Sequence, residues 1–184
     1  MLKKNLEKRG YTKDQFSKAV NELVSKASNQ VDSLYQINKE VYSLLRYGKQ
    51  GVKDENKNRQ TVHYIDWNNV VNNDFYVAEE VSVLCFNQIE RKRPDVVLYI
   101  NGIALGIFEL KRSCVSIGEG IRQNLTNQKK EYIQNFFSTT QFLFAGNEAE
   151  GLKYGTIETP EKYYLNWKED IKATDELSVT IKGI

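Results

Sequence analysis

The sequence has little of what many scaffolds and sites are built from. Two cysteines, Cys85 and Cys114, are too few for a disulfide framework, and the single histidine, His63, leaves no Cys/His cluster at zinc spacing. Both cysteines are expected to be reduced and structural, and a lone histidine on a strand is given no catalytic role. No apolar run approaches the roughly 20 residues that cross a bilayer. The opening MLKKNLEKRGYTKDQF lacks the apolar centre and cleavage site of a signal peptide. A cytoplasmic protein with no membrane partner is expected. Excess charge of one sign is also missing: the formal net charge is +2, so only local clustering of basic residues would point to a nucleic-acid partner. No G-x-x-x-x-G-K-[ST] loop occurs either. Gly146-Asn-Glu-Ala-Glu-Gly151 is followed by Leu152 and only then Lys153, which excludes ATP binding by that loop.

What is present suits one compact domain: 184 residues, 40% hydrophobic and 27% charged, enough for a real core. Basic residues do cluster, at Arg91-Lys92-Arg93, Lys111-Arg112, Arg122 and Lys129-Lys130. Thr12-Lys-Asp-Gln15 reads as a capping box ahead of a helix from about 13 to 28, and Val31 to Leu45 carry a second helix that stops at Gly48. KQGVKDENKNRQ is read as surface loop. TVHYID and FYVAEEVSVLCF are read as strands, and DVVLYI and IALGIF as two more, apolar enough to be central and buried on both faces. A capping box at Ser116 and Glu119 opens a helix to about Asn135, QFLFAG returns as a strand, and LKYGTI and KYYLNWKED give a short strand and an aromatic tail. The expected order is α-α-β-β-β-β-α-β. Trp67 and Trp167 are read as packing anchors.

The ionisable residues of RPDVVLYINGIALGIFELKRS stand at the far ends of its two apolar runs: Asp95 on one, Glu109 and Lys111 on the other. Strand alternation puts Glu109 and Lys111 on one face. A two-residue Asn101-Gly102 turn makes the numbers of opposed residues add to an odd total and turns Asp95 to the other face. A three-residue loop Ile100-Asn101-Gly102, or a bulge near Asp95, makes the total even and brings all three together. Two carboxylates about 4 Å apart repel by roughly 4 kcal/mol at an effective dielectric near 20, and Lys111 offsets only part of that. A hard divalent cation, Mg²⁺ or Mn²⁺, removes the conflict and suits metal-assisted phosphodiester hydrolysis.

Pro94-Asp95 followed by Glu109-Leu110-Lys111 is the PD-(D/E)xK nuclease pattern, and the wider text resembles the N-terminal nuclease domain of the restriction (R) subunit of type I restriction-modification enzymes. The resemblance covers roughly residues 31 to 170. It makes residues 1–30 a helical segment packed on the core and 31–184 the nuclease domain, a fragment of a longer subunit. It implies an α/β, restriction-endonuclease-like mixed central sheet flanked by helices. Asp95 and Glu109 would hold Mg²⁺ with the backbone carbonyl of Leu110, and Lys111 would be the catalytic lysine. The family's Q-x-x-x-Y element fits Gln128-Lys-Lys-Glu-Tyr132. Helical spacing favours that register over Gln123, although Gln123 competes for the role. Glu40 on the first core helix is a candidate further metal ligand, and Arg112 and Arg122 are candidate DNA contacts. The expected activity is Mg²⁺-dependent cutting of double-stranded DNA without sequence preference. ATP would act only through motor domains absent from this chain, and partners would be those domains and the methylation and specificity subunits. The alternative is an inactive nuclease-fold module that docks onto the motor and methyltransferase subunits.

Overall fold

The computed structural model describes residues 1–53 and 59–168. Three helices open the chain: α1 (Leu2–Lys8), not foreseen in the sequence, α2 (Lys13–Ala27) and α3 (Leu34–Tyr47). The capping box at Thr12 and Gln15 is formed in both halves, and α3 begins at Ser33, whose hydroxyl accepts from the Gln36 N–H. Leu6, Phe16, Ala19 and Leu23 meet Ile37, Val41 and Leu45 in one core cluster, so the 1–30 segment shares its core with α3.

The stretch read as surface loop forms two antiparallel strands, β1 (Lys49–Lys53) and β2 (Arg59–Val62). Among the described residues of these two strands only Val52 and Val62 are buried in the core, and of the two only Val52 falls within the polar text, which is why it looked like a loop. Residues 54–58 lie outside the described residues, as do those from 169 onward, including the end of the expected aromatic tail. The strand expected through TVHYID stops at Val62. The long strand expected over FYVAEEVSVLCF is divided: β3 (Phe75–Glu79) ends at Glu80, whose φ of 50° breaks the extended chain, and β4 (Val83–Leu84) pairs instead with β5 (Arg91–Lys92) in a separate ribbon.

The hairpin β6 (Val96–Ile100) and β7 (Ile103–Leu110) is followed by α4 (Ile117–Asn127), β8 (Phe142–Asn147), β9 (Gly151–Gly155) and β10 (Leu165–Asn166). One six-stranded sheet has the order β10-β9-β8-β7-β6-β3. All its neighbours are antiparallel except β7 and β8, which run parallel because α4 carries the chain across between them. This mixed sheet with helices around it is the architecture expected from the sequence, with more elements at both ends. Ser116 caps α4 through the Gly118 N–H, but Glu119 turns to Arg122, so the reciprocal half of that capping box is not made. The helix stops eight residues short of Asn135. The Gln128 side chain folds back, donating to the Asn124 carbonyl and accepting from the Glu158 N–H, and so terminates it.

The sheet's two faces differ. Val97, Ile107, Leu143 and Ala145 lie in a core with Ile117 and Ile121 of α4. On the other face Leu98, Phe142 and Phe144 line a mainly apolar groove of about 860 Å³, and Phe108 stacks on Phe144 at 4.2 Å. Val77 on that face is 66% exposed. The central strands are therefore packed under α4 along one face, whereas on the other only their turn end, at Ile100, Ile103 and Leu105, reaches the α2–α3 core, so they are not covered evenly on both faces as their composition suggested. Trp167 packs edge-on against Phe144 and Tyr154, and the Trp67 indole donates to the Leu45 carbonyl. Cys85 is buried and free, while Cys114 is exposed on the loop before α4 and has no structural burial. Among the described residues no helix is long and apolar enough to cross a membrane.

Candidate active site

The geometry of the site begins at the hairpin turn. Asn101 and Gly102, with φ of 55° and 85°, form a two-residue turn that pairs Ile100 with Ile103. By itself this turn sends Asp95 to the wrong face. The correction comes five residues before Leu110: Tyr99 faces Ala104, but Leu98 faces Gly106, so Leu105 is an extra residue in β7. From Leu98 outward the register is even, Val96 faces Phe108, and Asp95 falls opposite Glu109. The even register thus comes from a bulge and not from the three-residue loop. The turn itself is fixed from inside. Asn101 is fully buried; its amide donates to the Tyr64 carbonyl and to Asn73 and accepts from the Asp74 N–H.

Asp95 accepts the Leu110 N–H at 2.7 Å through Oδ2, which ties the end of β7 to the start of β6. The Lys111 N–H donates to the Gly146 carbonyl on β8. Because the peptide is trans, the Leu110 carbonyl points away from β8 and so toward the Asp95 side. Glu109 is 0% exposed, and neither of its carboxylate oxygens has a hydrogen-bond partner. It is roofed by α4 at Gly120, where an added Cβ would lie 3.2 Å from the Glu109 carbonyl oxygen and 3.2 Å from Ala145 Cβ. Sequence reasoning passed over this glycine, although a glycine inside an amphipathic helix signals close approach. Burial, and next the neighbouring Asp95 charge, push the Glu109 pKa up to about 8, with Lys111 acting against them. Lys111 Nζ stands 3.8 Å from Glu109 Oε2 and donates to Gln123 Oε1 at 2.7 Å.

The structure therefore brings Asp95, Glu109, Lys111 and Gln123 together. Gln128 is not with them. It is buried at the end of α4 with both ends of its amide used by backbone, and Tyr132 lies past the helix, so the two do not share a helical face. Glu40 is not with them either: Lys26 holds its carboxylate at 2.6 Å and Gln36 donates to it. Among the described residues no three His, Cys, Asp or Glu side chains gather as a metal cluster. Arg122 lies at the site's edge, paired with Glu119 at 2.7 Å and Glu161 at 2.8 Å, and Arg112 is exposed on the loop after β7. A groove of about 590 Å³ opens beside Lys111, lined also by Lys92, Arg122, Gln123, Thr126 and Asn127.

The residues present fit a hard divalent cation. Two carboxylates face each other with two buried oxygens lacking any partner, a carbonyl points to the same side, and every donor is oxygen. Such an ion would be held by Asp95, Glu109 and the Leu110 carbonyl and completed by water.

A six-stranded mixed sheet crossed by one helix, with an Asp opposite a Glu-x-Lys at the parallel strand's end, defines a restriction-endonuclease-like fold. The family model described as type I restriction enzyme R protein N terminus matches residues 1–162, and the chain belongs to this family. The match starts at the first residue and so takes in the opening helices that the resemblance had covered less clearly. The chain is also 30% identical over 143 residues to a Methanocaldococcus jannaschii protein named "Putative type I restriction enzyme MjaIXP endonuclease subunit". That alignment covers 75% of this chain and 13% of the relative's length.

Proposed function

We propose that this chain is a Mg²⁺-dependent endonuclease domain that hydrolyses phosphodiester bonds of double-stranded DNA. The observation that carries the reading is the pair of facing carboxylates, one fully buried with both oxygens unpartnered, beside a lysine held by Gln123. Family membership and the relative's name support it. Mg²⁺, or Mn²⁺ in its place, supplies a Lewis acid for a phosphoryl oxygen and lowers the pKa of a bound water. Asp95 contributes a carboxylate already oriented by the Leu110 N–H. Glu109 contributes one that is desolvated in advance. Gln123 fixes Lys111 Nζ, whose positive charge orients the attacking water and offsets the charge that grows on the phosphoryl oxygens. Recognition of a DNA sequence and ATP-driven movement belong, in this reading, to motor domains and to methylation and specificity subunits.

The test is cleavage of duplex DNA by the protein in its assembled complex. Asp95→Ala, Glu109→Ala and Lys111→Ala should each lower the rate by about 10³-fold or more, as expected when a transition-state charge loses its partner, while circular dichroism stays unchanged. Undiminished cutting by any one of them overturns the assignment. The apolar groove between α3 and the sheet favours a docking role as well, and a protein that docks but never cuts would leave duplex DNA intact in the unaltered complex and in all three variants.

A further inference from the structure

The basic run Arg91-Lys92-Arg93 does not act as one patch. Strand alternation sends its members in opposite directions: Arg91 donates to Ser82 Oγ and Arg93 pairs with Glu80, whereas Lys92 turns to the groove beside Lys111. There its ammonium sits 4.4 Å from the centroid of the Tyr132 ring. The other two groove cations are already engaged, Lys111 by Gln123 Oε1 at 2.7 Å and Arg122 by Glu119 and Glu161, and Glu119, the acid on the groove wall, is taken by Arg122. Lys92 has no carboxylate partner among the described residues. Asn127, 2% exposed, lines the same groove with its amide nitrogen unpartnered. The groove therefore offers an unmatched positive charge on a rigid aromatic seat, beside an amide donor without an acceptor.

We propose that Lys92, seated on Tyr132, holds a phosphate of the DNA strand next to the one that is cut. The proposal rests on the nuclease reading and extends it to how the strand is gripped. It gives Tyr132 a part in DNA binding that does not depend on Gln128: the ring orients a cation, and the cation meets the backbone. A cation–π contact leaves the ammonium's N–H groups able to donate to phosphate oxygen. Such a contact positions the strand and reads no bases.

The test compares Lys92→Gln, Lys92→Arg, Tyr132→Phe and Tyr132→Leu with the unaltered protein. Duplex binding is measured by fluorescence anisotropy in Ca²⁺ over a range of KCl, and KM and kcat for cleavage in Mg²⁺. Lys92→Gln should weaken binding about tenfold, as for a lost charged hydrogen bond, and reduce the log–log salt slope by about 0.9, as for one lost phosphate contact. KM should rise with it while kcat holds. Lys92→Arg and Tyr132→Phe should behave as the unaltered protein, and Tyr132→Leu should move toward Lys92→Gln. Lys92→Gln lies on a short surface ribbon and reads the contact even where Tyr132→Leu disturbs the fold. Unchanged affinity and slope in Lys92→Gln, or an effect confined to kcat, overturns the proposal. If Asp95→Ala abolishes cleavage in the same series, the nuclease reading survives that failure. If the slope changes but the assembled complex does not cleave at all, the phosphate contact stands and the nuclease reading falls.

Discussion

Glu40 and Glu109 are both glutamates with a lysine close by, one in the helical layer and one under α4 on the sheet, and their surroundings push them in opposite directions. Glu40 is partly exposed, receives Lys26 at 2.6 Å and an amide from Gln36, and its pKa is lowered, first by the Lys26 hydrogen bond. Glu109 is fully buried, its lysine stands at 3.8 Å and is already given to Gln123, and its pKa rises to about 8. The first pair is finished, since every strong demand of the carboxylate is met by the chain itself. The second is left open at a cost, because a buried carboxylate without partners is among the more expensive groups a fold can keep. In the function proposed above, this incomplete carboxylate and the second one beside it are the groups that would hold the cation.

The largest effect that would sharpen this contrast is in pH dependence. A carboxyl whose pKa is raised from 4.5 to about 8 keeps its proton in the folded state over a range where the unfolded chain has lost it. Metal-free stability should therefore fall as pH rises through that window. Between pH 5 and pH 8 the loss from this one group is on the order of 3–4 kcal/mol, and Glu109→Gln should abolish it. Urea unfolding in EDTA at the two pH values reads this directly, and parallel curves for the two proteins would break the comparison.

Next come the two glutamines. Gln128→Ala should cost about 1–3 kcal/mol of stability, since it strips a partner from the buried Asn124 carbonyl and from the partly buried Glu158 N–H, with kcat little changed. Gln123→Ala should leave the melting temperature nearly unchanged and lower kcat, with KM almost constant, because it frees Lys111. The reverse pattern would place the site's support at the end of α4 instead of on its face. The smallest effect is expected at the finished pair. Glu40→Gln should leave cleavage and Mg²⁺ dependence as they were, since exposed ion pairs contribute little, and a raised Mg²⁺ requirement would return Glu40 to the site.

Much of this was legible in the sequence. Asp95, Glu109 and Lys111 stood out as charges at the ends of apolar runs, and the capping box at Thr12 fixed the start of α2. The hairpin's parity was not legible, because Leu105 and Gly106 read as ordinary strand and nothing in the text marks Leu105 as the residue that bulges. Choosing Gln128 over Gln123 followed from extending the helix to Asn135, and a glutamine that caps a helix through its own side chain has no spacing signature. Glu40 was placed by its position on a core helix, and Lys26 on another helix decided its fate, a contact that only the tertiary fold discloses. The second small hairpin, β1 with β2, hid behind polar residues because two valines suffice to anchor it.

The most direct measurement is calorimetric titration of Mn²⁺ into the protein near pH 7, repeated in buffers of different ionisation enthalpy and with Asp95→Ala and Glu109→Gln. One ion should bind with release of close to one proton as Glu109 ionises, and both variants should lose the binding and the proton together. Mn²⁺ binding that persists in either variant, or no binding to the unaltered protein, would contradict a cation held between these two carboxylates.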